Sequence, residues 1–194
     1  MKQKSRTEYS VMNTTVAFLA QTLAIFMGFF TRVVFTRTLS EGYVGINGLF
    51  TDILNILSLS ELGVGTAITY ALYAPIARRD IKKQQILMRM FRNFYRITAG
   101  FVLLAGLCLI PFLDILMKDR PDVNHLIIIY LLYLLNSVVS YLLIYKKTLV
   151  DAHQMNYITV MYHNGFLVLQ DILQIMVLFL TRNFILFLVI AVVP

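Results

Sequence analysis

Three sets of polar side chains interrupt an otherwise apolar chain, and their types set the chemistry it could perform. Thr14, Gln21, Gly28 and Arg32 form one stripe, since steps of seven, seven and four return to one helix face. Arg32 is its strongest member. A guanidinium facing a cavity holds a phosphate oxygen in a charge-assisted, often bidentate bond, whereas one near a helix end can snorkel to the headgroups instead. His163, Gln170, Asp171 and Gln174 recur after seven, eight and eleven residues and form a second stripe, suited to lining a water-filled pathway or to gluing helices together. Asp52, Asn55, Ser58 and Glu61 follow a three-residue step that drifts by about 60° each time, so they wind around their helix. A charge at bilayer depth costs about 2.5–3.5 kcal/mol on insertion scales, which makes Asp52 and Glu61 candidates for ion coupling or for helix packing.

These sets are not joined by a catalytic pattern. His125, His153 and His163 lack metal-ligand spacing, and no nucleophile elbow, phosphate loop or paired carboxylates can be placed together. The glycines of GYVGING, Gly42 to Gly48, are spaced by three but lack the GK[ST] ending and the preceding strand of a phosphate loop. The sequence therefore predicts neither an enzyme nor a cofactor. Cys108, the single cysteine, cannot form a disulfide within the chain and is expected as a small buried hydrophobe.

The elements that must position these residues are membrane helices. With 59% hydrophobic and 14% charged residues, the chain is far from a soluble domain, which carries about a quarter charged residues. The net charge of +7 does not point to nucleic acid, because the cations sit in short gaps between apolar runs rather than on a face with stacking aromatics. It reads as a topology signal directed at anionic headgroups. The basic start, MKQKSR, leads into an uncharged run from Tyr9 to Thr31, too long for a signal peptide core and without a cleavage site, so a retained first helix is expected.

Lipid tolerates helices or closed barrels only, and a span needs about 20 helical residues. The runs are too long for barrel strands. The fold class expected is all-α: a polytopic membrane bundle of about six transmembrane helices near 13–36, 45–73, 97–117, 125–145, 157–180 and 184–194, the last incomplete at Pro194. The basic connection from Pro75 to Arg96 repeats Ile86, Met90 and Phe94 four apart, the pattern of a helix in the headgroup layer or of a loop leading into the third helix. Twelve of the 17 Lys and Arg residues fall on the side of the N-terminus, which is therefore expected in the cytoplasm. Tyr9, Tyr70, Tyr73, Tyr95, Tyr145 and Tyr157 fall at the run edges on that side, as an aromatic belt would. On helix 4, Tyr130, Tyr133, Asn136, Ser137, Ser140 and Tyr141 are expected to hydrogen-bond between helices.

The strings G-Y-x-G-x-N-G-L-F (Gly42 to Phe50), E-L-G-x-G-T-A (Glu61 to Ala67) and L-Y-x-P-x-A-x-x-D (Leu72 to Asp80), with Tyr95 and Arg96 beyond, resemble the N-terminal region of bacterial polysaccharide flippases. That family shares a superfamily with the multidrug and toxin extrusion transporters and the lipid II flippases. The resemblance implies one lobe of a two-lobe fold around a central cavity. It also implies transfer of undecaprenyl-pyrophosphate-linked oligosaccharide across the bacterial cytoplasmic membrane by alternating access. Arg32 best matches the family's cationic cavity lining, with Gln21, Gln170, Asp171 and Gln174 as weaker candidates. The partners implied are the lipid bilayer, the lipid-linked oligosaccharide, and a C-terminal lobe or polysaccharide assembly proteins. Two alternatives stand beside it: a cation-coupled multidrug exporter using Asp52, Glu61 or Asp171, and a non-transporting membrane scaffold.

Overall fold

The computed structural model describes residues 6–58, 64–117, 123, 125–153 and 156–192. Among these there is no strand, and the order is α1 (Arg6–Thr38), α2 (Glu41–Ser58), α3 (Val64–Ala77), α4 (Ile81–Leu109), a 3-10 turn (Ile110–Phe112), α5 (Leu113–Leu116), α6 (Leu126–Ala152), α7 (Asn156–Thr181) and α8 (Phe184–Ala191). Four segments are long and apolar enough to cross a membrane: Thr14–Thr38, Ile81–Phe112, Leu126–Val150 and Ile158–Thr181. The helix expected over 45–73 corresponds to α2 and α3, and α8 has eight residues. None of these three reaches the length and apolarity of the other four.

Local signals fix several helix ends. The Asp80 carboxylate caps α4 by accepting from the Lys83 amide at 3.0 Å. Pro111, placed by the 3-10 turn, closes α4. The Asn183 side chain caps α8 on the amides of Ile185 and Leu186, directly after Arg182 has turned the chain at φ 49°. Pro75 lies inside α3, and its carbonyl accepts from the Asp80 amide at 2.9 Å and from Gln84 Nε2 at 3.2 Å, tying α3 to α4.

The basic stretch after Asp80 is neither a loop nor a separate interfacial helix. It is the first half of α4, whose 29 residues run for about 43 Å, longer than a hydrocarbon core of about 30 Å. Towards the end of this half Phe91 and Tyr95 are buried, with Leu87 and Met88 partly buried against the core, so packing holds its later part to the bundle. The periodicity of Ile86, Met90 and Phe94 did indicate a helix, but the three do not act together: Ile86 and Met90 are exposed while Phe94 turns in against Tyr95. Tyr95 also departs from the belt expected at the run edges. It is buried, edge-on to Phe91 and stacked on Tyr141. Cys108 is exposed, not buried.

The core forms where α4 packs on α6. The Tyr130 hydroxyl donates to the Gly106 carbonyl at 2.8 Å, and the Tyr95 and Tyr141 rings meet at 6.3 Å. Both pairs fit one antiparallel register, which places Lys146 and Lys147 level with Arg89 and Met90. Phe50 of α2 enters this core edge-on to Tyr130 and Tyr133. Elsewhere α1 lies along α7, and Phe35 near its end packs against Phe184 and Phe187 of α8.

Candidate functional site

The polar side chains of α6 do not all disappear into helix contacts. Tyr130 does so, fully buried against α4. Tyr133 donates to the Asn47 side chain of α2. One turn further on, Asn136, Ser137 and Ser140 open onto a cleft. On one side of α6 a cavity of about 440 Å³ is lined by Asn136 and Ser140 with Tyr162, His163, Phe166, Leu167 and Gln170 of α7 and Ala191 of α8. On the other, a cavity of about 330 Å³ is lined by Thr51, Leu54 and Asn55 of α2 with Tyr133, Asn136, Ser137, Ser140, Tyr141 and Ile144. Asn136 and Ser140 belong to both, so the two spaces flank the same pair of residues on α6. Their spacing of four makes this possible, and the Ser140 hydroxyl is anchored by donating to the Asn136 carbonyl at 2.9 Å.

The lining has a definite chemical character. Amides and hydroxyls supply donors and acceptors, aromatic faces flank them, and no carboxylate appears among the described lining residues. Such a surface suits an uncharged, hydroxyl-rich ligand laid between rings, with few but convergent polar groups setting its position.

The stripe on α7 divides by function. His163 and Gln170 face the cleft. Asp171 turns towards α1, accepting from the Thr31 hydroxyl at 2.8 Å. Gln174 is 5% exposed and donates to the Phe187 carbonyl of α8 at 3.2 Å. Steps of seven, eight and eleven spread over about 100° of arc, enough for three neighbours to share one polar set.

Arg32 lies on the exposed face of α1 with its guanidinium carbon 5.4 Å from the Phe35 ring centroid, within cation–π range. Arg32 is not among the described residues that line the cleft. Gln21 is exposed on α1, and Asp52 is exposed on α2. Glu61 lies outside the described residues. Among the described residues no group of three or more His, Cys, Asp or Glu could hold a metal ion.

Asn136, Ser137, Ser140, Thr51 and Asn55 are the lining residues that the sequence reading assigned to packing or left unassigned. Their signal was present in the recurrence of small polar residues on α6, but the same types also serve as interhelical glue. Compared with family models, with curated proteins and with solved structures, the chain matches none of them.

Proposed function

We propose that the chain is a lobe of a membrane transporter that moves lipid-linked oligosaccharide across the bacterial cytoplasmic membrane, as its resemblance to polysaccharide flippases implies. The observation that carries this reading is the pair of cavities along α6, whose linings combine amides and hydroxyls with aromatic and aliphatic side chains. Glycan hydroxyls would exchange water for Asn136, Ser140, Gln170 and Asn55, with Tyr162 and Tyr133 offering ring faces. Arg32, exposed on α1, supplies the cation for the pyrophosphate. A second lobe completes the path.

The test replaces Asn136 and Gln170 together by Leu in the producing cell and measures surface polysaccharide, with membrane levels of the protein as control. Export should fall by at least about ten-fold, since each lost polar contact in a dry site costs about 1–3 kcal/mol. Unimpaired export at normal protein level would sink the reading. A changed drug susceptibility with unchanged polysaccharide would point to the drug exporter instead. Arg32→Ala in the same assay tests the pyrophosphate role separately.

A further inference from the structure

The exposed side of α4 carries a second organised surface, on the opposite kind of chemistry from the cleft. Between Arg78 and Arg96 the chain holds seven cations and one acid. Asp80, that acid, is engaged in capping α4. Lys82, Arg89 and Arg96 are seven apart and all exposed, so they form a ladder along one helix edge, with rungs about 10 Å apart. The next step of seven reaches Leu103, which is also exposed, so the ladder turns from cationic to apolar within two turns.

Beside the ladder runs a row of large apolar side chains. Ile86 is 67% exposed and Ile97 73%, with Met90 and Phe101 between and beyond them on the same face. Cations interleaved with bare isoleucine and phenylalanine are poorly matched to water and poorly matched to hydrocarbon. They match the boundary between headgroups and acyl chains, where the apolar row continues into the lipid-facing part of the span. Gly100 lies one turn beyond Arg96, and a Cβ built there would meet nothing within 4 Å. It leaves a notch between the last cation and Leu103. Arg92, one turn before Arg96, holds its Nε buried with no hydrogen-bond partner among the described residues. From α6, the shared register brings Lys146 and Lys147 to the level of Met90 and Arg89.

We propose that this face of α4 binds an anionic glycerophospholipid, with its phosphate on Arg89 and Arg96, its glycerol in the Gly100 notch, and an acyl chain along the exposed row of Ile97, Phe101 and Leu104. An acidic protein segment would satisfy the cations but bring no acyl chain to the apolar row beside them. The site stands whether or not the cleft carries oligosaccharide.

The protein, purified in a neutral detergent, is titrated with phosphatidylglycerol and with phosphatidylcholine, and bound lipid is counted by native mass spectrometry. Phosphatidylglycerol should be retained preferentially. Arg89→Gln and Arg96→Gln should each weaken its retention about five-fold, as expected for one cation at a membrane surface. Gly100→Leu should weaken it with the charge untouched, and Arg37→Gln, which removes the same charge near the end of α1, should leave it unchanged. Equal retention of the two lipids would overturn the proposal. So would an Arg37→Gln effect as large as that of Arg96→Gln, or no effect of Gly100→Leu. Soluble poly-glutamate binding that outcompetes phosphatidylglycerol at this face would overturn it in favour of an acidic protein partner.

Discussion

The contact of α4 with α6 and that of α1 with α7 are both long, yet they are built from different materials. Between α4 and α6, Phe91, Val102, Ile129, Tyr130 and Leu134 are all but completely removed from the surface, and the glycine at 106 lets the helices close on one another. Along α1, Thr31 and Phe35 are buried, while Phe18, Leu19, Leu23, Ile25, Phe26, Phe29 and Phe30 are exposed. Its neighbour α7 meets it with Asp171, and buries Asn164 and Gln174 nearby. Within lipid, exposing apolar surface costs little, so helix association rests on close packing and on interhelical hydrogen bonds. The first pair buries large side chains almost completely, whereas the second is a more extensive contact that buries fewer large side chains and includes the Thr31–Asp171 hydrogen bond.

That difference orders the effects of substitution. The largest is expected at Gly106→Val. A Cβ there would lie 2.4 Å from Leu134 Cδ1 and 2.9 Å from Cδ2, and Leu134 is too enclosed to swing away. Overpacking of this kind costs about 1–3 kcal/mol, read as a lower unfolding midpoint in detergent, and Leu134→Ala in the same chain should restore part of it. Tyr130→Phe removes the hydroxyl bond to the Gly106 carbonyl and should cost about 1 kcal/mol in the same measurement. Across α1 and α7, a double-mutant cycle of Thr31→Val with Asp171→Ala should return a coupling of about 0.6 kcal/mol, typical of polar pairs in membrane helices. The smallest effect belongs to Phe18→Leu on the exposed face of α1, within about 0.5 kcal/mol. A Phe18 effect rivalling that of Gly106 would erase the contrast. A Thr31–Asp171 coupling above that of Tyr130 would reverse it.

Much of the helix plan was legible because the hydrocarbon core imposes a length and a polarity that show directly in sequence. The expected helices at 13–36, 125–145 and 157–180 lie within α1, α6 and α7 to within a residue. The start of α4 was harder to place, since its basic residues resemble a loop until Phe91 and Tyr95 are seen to be buried on one side. The cleft was less legible still. Asn136 and Tyr130 are both polar residues on an apolar helix, and only the neighbours supplied by α2, α4 and α7 decide that one is exposed to a cavity and the other sealed. Asp171 shows the same limit: its partner Thr31 lies 140 residues earlier in the chain, beyond any pattern within one helix.

The elbow at Pro75 has a consequence for how the chain is made. Its ties, from Asp80 and Gln84 onto the Pro75 carbonyl and from Lys83 onto Asp80, join residues no more than nine apart. The turn between α3 and α4 can thus close once residue 84 has left the ribosome, before α6 has been synthesised, and α6 then meets a hairpin whose bend is already set.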